Sequence, residues 1–272
     1  MKVLGDGFVE LIDSMGSDQA IVDAARVSYS DPSKHRSNAR GLIRHLMRKW
    51  HTSPFEMAEM KFHVQCPIFI QRQWRTHRTG SFNEVSGRYS ELDMGYWMPT
   101  EWRGQSHTNK QGSEGVVLHD GNRWDGIGED EGYFVPIEHL AELEYKDRIE
   151  SGVSRELART CLPLSTWTRF VWKTDLHNLL HFLRLRLDPD AQEEIRVYAE
   201  AIAQVVRDKF PITWEAFEDY RLNSLTLSRG DIHALRTLIL SSGAPDEAEM
   251  QRHLSEGEWR EFCEKAKRLG AL

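Results

Sequence analysis

The sequence predicts an α/β (α+β) fold, and three observations predict it. Apolar residues recur at helical spacing over residues 18–47 and again from about residue 176 to 210. In KFHVQC, residues 61–66, Phe62, Val64 and Cys66 alternate with His63 and Gln65, as in a half-buried strand. LPLSTWTRFVW, residues 162–172, is aromatic and β-branched enough for a strand or a buried extended segment.

Taken in order, Ile21, Val22 and Ala25, then Leu42, Ile43, Leu46 and Met47, predict two helices, with DPSKH (31–35) as the turn between them. The loop HTSPFEM (51–57) leads into the 61–66 strand, which Pro67 ends. IFIQRQWRTHR (68–78) is expected to be helical and TGSFNEVSGRY (79–89) to be the loop after it. Residues 91–133 carry eight glycines, Gly95, Gly104, Gly112, Gly115, Gly121, Gly126, Gly128 and Gly132, without periodicity, so an irregular excursion is expected.

A helix begins near Pro136 with Ile137, Leu140, Ala141, Tyr145 and Ile149 on one face, Gly152 stops it, and Ser154 can cap the next. In LHNLLHFLRLRL, Leu176, Leu179, Leu180, Leu183 and Leu187 form one stripe, and His177, His181 and Arg184 form another. AQEEIRVYAEAIAQVVRDKF is a long helix ending at Pro211, and the remainder is charged and helical. One domain over 1–220, with 221–272 as its C-terminal helical extension, is the economical organisation.

The bulk properties narrow the function. With 272 residues and 40% hydrophobic content, the chain can bury a core large enough to frame a cofactor pocket. A net charge of −7 argues against general nucleic-acid binding, which rests on a positive field. No apolar run approaches a membrane span, and the start MKVLGDGFVELID lacks a secretion signal, so a cytoplasmic location is expected. Three scattered cysteines, Cys66, Cys161 and Cys263, suit buried thiols better than a disulfide framework or zinc site.

Chemistry concentrates between Gln71 and Arg88. Arg72, Arg75, His77, Arg78 and Arg88 share that window with one acidic residue, Glu84. Arginine offers a planar fork that binds phosphate at two points, so an anionic ligand is one reading, and an arginine-rich rim against another subunit is the other. Arg155, Arg159, Arg184 and Arg186 form a second group, and the two together suggest one composite site for a small phosphorylated ligand. HNLLH has metal-compatible i, i+4 spacing but lacks the glutamate of HExxH, so no metal is expected. Neither a G-x-G-x-x-G nor a Walker loop occurs. Cys161 has no adjacent histidine base, which favours packing over nucleophilic attack.

The run THRTGSFNEVSGRYS, residues 76–90, resembles the signature of the flavin-dependent thymidylate synthases, Arg-His-Arg-x-x-Ser-x-Asn-Glu-x-Ser-x-Arg-Tyr. HTSPFEM, PIFIQRQW, QSHTNKQG, SRELARTCLPL, TDLHNLLHFLRLR and AQEEIRVYAEAIA extend the likeness over most of the chain. One position departs from it: the signature's first arginine is Thr76, while Arg75 stands one residue earlier, about 100° round a helix.

The resemblance implies a mixed central β-sheet flanked by helices and reductive methylation of dUMP to dTMP. It implies methylenetetrahydrofolate as carbon donor, FAD reduced by NADPH as hydride source, and a homotetramer with shared active sites. FAD would be held by Ser53, Thr76, His77, Arg78, Glu84, Asp175, Leu176, His177 and His181. The dUMP site would draw on Gln73, Trp74, Arg75, Thr76, Glu84, Val85, Ser86, Gly87, Arg88, Arg159 and Arg186, with Arg186 as the catalytic residue at the uracil.

Overall fold

The computed structural model describes residues 1–28, 38–92, 95–107, 112–117, 136–230, 232 and 256–269. It divides into two compact units, Met1–Leu222 and Asn223–Leu272. The turn DPSKH, residues 108–111 of QSHTNKQG and Gly121, Gly126, Gly128 and Gly132 fall outside the described residues.

The first unit is built on a four-stranded sheet of β1 (Phe8–Met15), β2 (Glu59–Pro67), β6 (Trp167–Asp175) and β3 (Ser81–Glu84), in the order β1-β2-β6-β3. The expected sheet flanked by helices is present, and each of these pairings is antiparallel. Alternation sets the two faces. Met60, Phe62, Val64 and Cys66 of β2 are buried, whereas Lys61 and His63 face outward and stay partly exposed. The register aligns Phe62, Trp172 and Phe82 across three strands, and the Trp172 ring lies 6.1 Å from each of the other two. Such cross-strand aromatic pairs each contribute roughly 0.2–1 kcal/mol.

Helices α1 (Asp18–Arg26), α2 (Ala39–Arg48) and α3 (Ser53–Glu56) follow β1; the first two are those the periodicity predicts, and α3 is an added single turn inside HTSPFEM. Ser17 and Asn38 cap α1 and α2 through their side-chain oxygens. Helix α4 (Ile68–Trp74) follows Pro67 directly. Two short strands, β4 (Arg103–Gln105) and β5 (Ser113–Val116), form a hairpin in the stretch expected to be irregular. Arg103 ties that hairpin to α8 (Glu193–Lys209) through Glu193 at 2.6 Å and Glu194.

Helix α5 (Ile137–Glu150) ends as expected, with Gly152 in the left-handed region at φ +84°. Ser154 does precede α6 (Arg155–Ala158), but its side chain makes no capping hydrogen bond. Helix α7 (Leu176–Arg186) packs on β6 and α8 through Leu176, Leu179, Leu180 and Leu183, the predicted leucine stripe. Pro211 opens α9 (Pro211–Phe217), whose first N–H groups bond to the buried Asp18 carboxylate from Ile212 at 2.9 Å and Thr213 at 3.0 Å. In the second unit, α10 (Glu256–Leu269) brings the Trp259 and Phe262 rings within 5.5 Å.

Strand β1 has no counterpart in the sequence pattern, because FVELIDSM exposes Ile12 and Met15 and so breaks the alternation.

Candidate active site

Helix α4 stops at Trp74 rather than running on to Arg78 as the sequence suggested. The β-branched Thr76 explains the stop. Its hydroxyl donates to the Gln73 carbonyl at 2.7 Å, and its N–H reaches the same oxygen at 3.3 Å, so the carbonyl that would continue the helix is capped locally. His77 and Arg78 therefore project from a turn. The His77 ring packs edge-on against Phe182, 4.9 Å away, with the His181 ring at 6.0 Å.

Arg186, the last residue of α7, donates from Nε to His77 Nε2 at 3.0 Å and from Nη2 to Thr76 Oγ1 at 3.3 Å. A nitrogen that accepts from a guanidinium carries no proton, so His77 is neutral here. Desolvation and then the Arg186 charge pull its pKa from 6.5 down to about 4. Desolvation also lowers the pKa of Arg186 and, with His177 and Arg184 nearby, that of His181.

The segment expected to be a loop after α4 contains strand β3, which pairs with β6. Pairing with a buried central strand outweighs the polar local sequence. The pairing turns Glu84 inward, where it accepts from Gln71 Nε2 at 2.9 Å and Thr168 Oγ1 at 2.7 Å and faces Arg75 at 3.6 Å. Val85 N–H then bonds to the Arg169 carbonyl, and the Ser86 carbonyl accepts from Tyr89 and Ser90 N–H, closing a turn. Gly87 lies within that turn with Arg159 packed over it: a Cβ here would stand 3.0 Å from Arg159 Cδ and 2.9 Å from Leu92 Cδ1. Arg88 reaches Glu156 at 3.5 Å, and Arg155 reaches Glu91 at 3.6 Å.

The histidine face of α7 lines a cleft. His177, Leu180, His181 and Arg184 form one wall, and Trp50, His51, Thr52, Phe55 and Arg221 form much of the other. Asp175 sets the start of that wall by capping α7, accepting from Asn178 N at 2.9 Å and Nδ2 at 2.8 Å. Trp50 adopts φ +61° with Arg221 stacked 3.3 Å from its ring centre. Ser53 opens α3 beside the cleft and lines a neighbouring hollow, with His51 common to both. Sequence reasoning misses Trp50, His51 and Arg221, because each reads locally as an ordinary helix-end or surface residue.

Charge pairing divides the arginines. Arg75 pairs with Glu84 of its own window, and Arg88 and Arg155 find acidic partners from distant segments, so part of the surplus read from the sequence is balanced within the chain. Arg72, Arg78, Arg159, Arg184 and Arg186 have no carboxylate within 4.0 Å among the described residues, and these are the cations left to bind an anion. Among the described residues, no hydrogen bond or ion pair runs directly from the Thr76, His77 and Arg186 group to the Gly87 and Arg159 group. The side chains of Trp74 and Leu176 are fully buried, so Trp74 belongs to the core beside Phe182, at 4.8 Å, and Trp172, at 5.3 Å. Gln73 keeps a buried Oε1 without a hydrogen-bond partner among the described residues. Among the described residues, no group of three or more His, Cys, Asp or Glu is arranged to hold a metal, and no helix is long and apolar enough to cross a membrane.

The family model described as thymidylate synthase complementing protein matches residues 10–212, which include Thr76, His77, Gly87, Arg159, Arg186 and the α7 wall of the cleft. The chain belongs to that family. Its relatives include a flavin-dependent thymidylate synthase of Thermus thermophilus, 50% identical over 239 residues, covering 88% of this chain and 86% of the relative. The flavin-dependent thymidylate synthase of Ruegeria pomeroyi is 44% identical over 270 residues, covering 96% and 85%. Among solved structures of the same fold, the UMP/dUMP methylase PolB from Streptomyces cacaoi bound with 5-Br UMP superposes with a TM-score of 0.67. It is 34% identical, and the match covers 81% of this chain and 97% of PolB.

Proposed function

We propose that this protein is a flavin-dependent thymidylate synthase that methylates dUMP to dTMP in the cytoplasm. The observation that carries the reading is Arg186: a half-buried guanidinium, held by two neutral acceptors and unpaired with any described carboxylate, suits a ligand on which negative charge develops. Relatives named for flavin-dependent thymidylate synthesis and PolB structures holding 5-Br UMP and 5-Br dUMP support it.

The residues present fit a flavin. The cleft is apolar at Leu180 and Phe55 and cationic at Arg184 and Arg221, as an aromatic ring system with phosphates requires. His177 and His181 of the cleft, together with Ser53, Thr76, His77, Arg78, Glu84, Asp175 and the backbone at Leu176, would hold FAD. When bound, FAD reduced by NADPH supplies the hydride that completes the methyl group, whose carbon comes from methylenetetrahydrofolate.

For dUMP, Ser86, Gly87, Arg88 and Arg159 would clamp the phosphate. Gln73, Arg75, Thr76, Glu84, Val85 and the backbone at Trp74 would orient the nucleoside. Arg186 would contact the uracil and stabilise the ring when its nitrogen ionises, which raises nucleophilicity at carbon 5. Cysteine has no part in this: Cys66 is buried in the core, and burial raises its thiol pKa well above the ordinary value. In a homotetramer with shared sites, the Thr76, His77 and Arg186 group of one subunit would face the Gly87 and Arg159 group of another.

Transfer of labelled carbon from methylenetetrahydrofolate into dTMP tests the proposal directly. Flavin turnover that yields no labelled dTMP would refute it.

A further inference from the structure

The position at which this chain departs from the family signature is also the position that touches the proposed catalytic arginine. Thr76 carries one hydroxyl hydrogen, and the shorter of its two bonds, 2.7 Å to the Gln73 carbonyl, uses it. Toward Arg186 Nη2, 3.3 Å away, the oxygen is therefore an acceptor. His77 Nε2 accepts Nε of the same guanidinium at 3.0 Å. The two acceptors come from consecutive residues of one turn, and they take two adjacent donors along one edge of the planar fork. The other edge, at Nη1 and the second hydrogen of Nη2, has no partner among the described residues. An arginine at 76 could not make this contact, because a guanidinium has donors only.

The surroundings make the seat restrictive. Phe182 packs against His77 and fixes its ring plane, and Thr76 is anchored to the last turn of α4, whose Trp74 is locked in the core. Arg186 ends α7, where the last carbonyls favour a cation but leave its side chain free to rotate. Without the two acceptors, the guanidinium has no described partner to hold its direction.

We infer that Thr76 is a positioning residue which, with His77, seats Arg186 by one edge and aims its remaining N–H groups at the nucleobase. This rests on the proposed role of Arg186 in dUMP methylation. Thr76 thereby replaces a cation by an acceptor: the chain gives up one positive charge near the anionic ligands and gains a fixed orientation for another.

The experiment compares T76V, T76S, R186A and the double variant T76V/R186A, by labelled dTMP formation and by calorimetric titration with dUMP on the FAD-loaded protein, with thermal unfolding and flavin content read alongside. T76V, which keeps the shape and removes the acceptor, is expected to lower kcat about tenfold and weaken dUMP several-fold, as loss of one charge-assisted bond implies. T76S, which keeps the hydroxyl, recovers most of the loss. In the R186A background, T76V adds no further weakening of dUMP, because its effect runs through Arg186. A wild-type protein that makes dTMP while T76V matches it in both assays overturns the seat and leaves the proposed function standing. A T76V defect that persists undiminished without Arg186, or that T76S does not recover, also overturns it. If the wild type makes no dTMP, the proposed function fails instead, and the dUMP titrations alone decide the seat.

Discussion

Arg159 lies across Gly87, so closely that a Cβ at residue 87 would stand 3.0 Å from its Cδ. Two segments that read as separate arginine groups in the sequence meet at that contact. Glycine is there for the space it leaves. Gly87→Ala should push Arg159 aside and weaken dUMP about tenfold, the scale of one displaced charge-assisted contact, with flavin content unchanged. Titration with dUMP checks this, and an unchanged affinity would show that the neighbours yield without cost.

Arg186→Ala should abolish dTMP formation while FAD remains bound, since the cleft is lined by His177, Leu180, His181 and Arg184 of α7 and not by Arg186. Turnover at the wild-type rate would remove the catalytic role assigned to Arg186.

Trp74 is a core residue by its packing against Phe170, Trp172, Phe182 and Tyr198. Trp74→Ala should cost about 3–5 kcal/mol of stability, the usual range for removing a buried aromatic. Chemical denaturation measures it. A loss below about 1 kcal/mol, accompanied by weaker dUMP binding, would instead place the indole at the ligand.

The neutral state of His77 predicts a pH dependence with a definite sign. Its folded pKa of about 4 lies below the ordinary 6.5, so between those values the unfolded chain binds a proton that the folded chain does not. Stability from this residue is therefore constant above about pH 6.5 and falls as the pH drops toward 4. Protonation also removes the acceptor for Arg186. His77→Gln does not titrate, so its urea midpoint should fall less than that of the wild type between pH 6.5 and pH 4. Parallel curves for the two proteins would contradict the assignment.

What the sequence determined by itself was local. The leucine stripe of α7, the alternation in β2, the stop at Gly152 and the density of arginines around residues 72–88 are legible because each depends on residues a few positions apart. The signature over residues 76–90 carried the family for the same reason, since it is one contiguous run. The tertiary structure decided what depends on distant partners. Strand β3 exists because β6, some ninety residues later, supplies its hydrogen bonds, and β1 exists because β2 does. Arg75, Arg88 and Arg103 became paired only when folding delivered Glu84, Glu156 and the start of α8 to them. Thr76 reads in the sequence as a missing arginine, and only the arrival of Arg186 from the end of α7 makes it an acceptor. Periodicity records which face of an element turns inward, but the partner that meets that face is set by long-range closure of the chain, which no local pattern encodes.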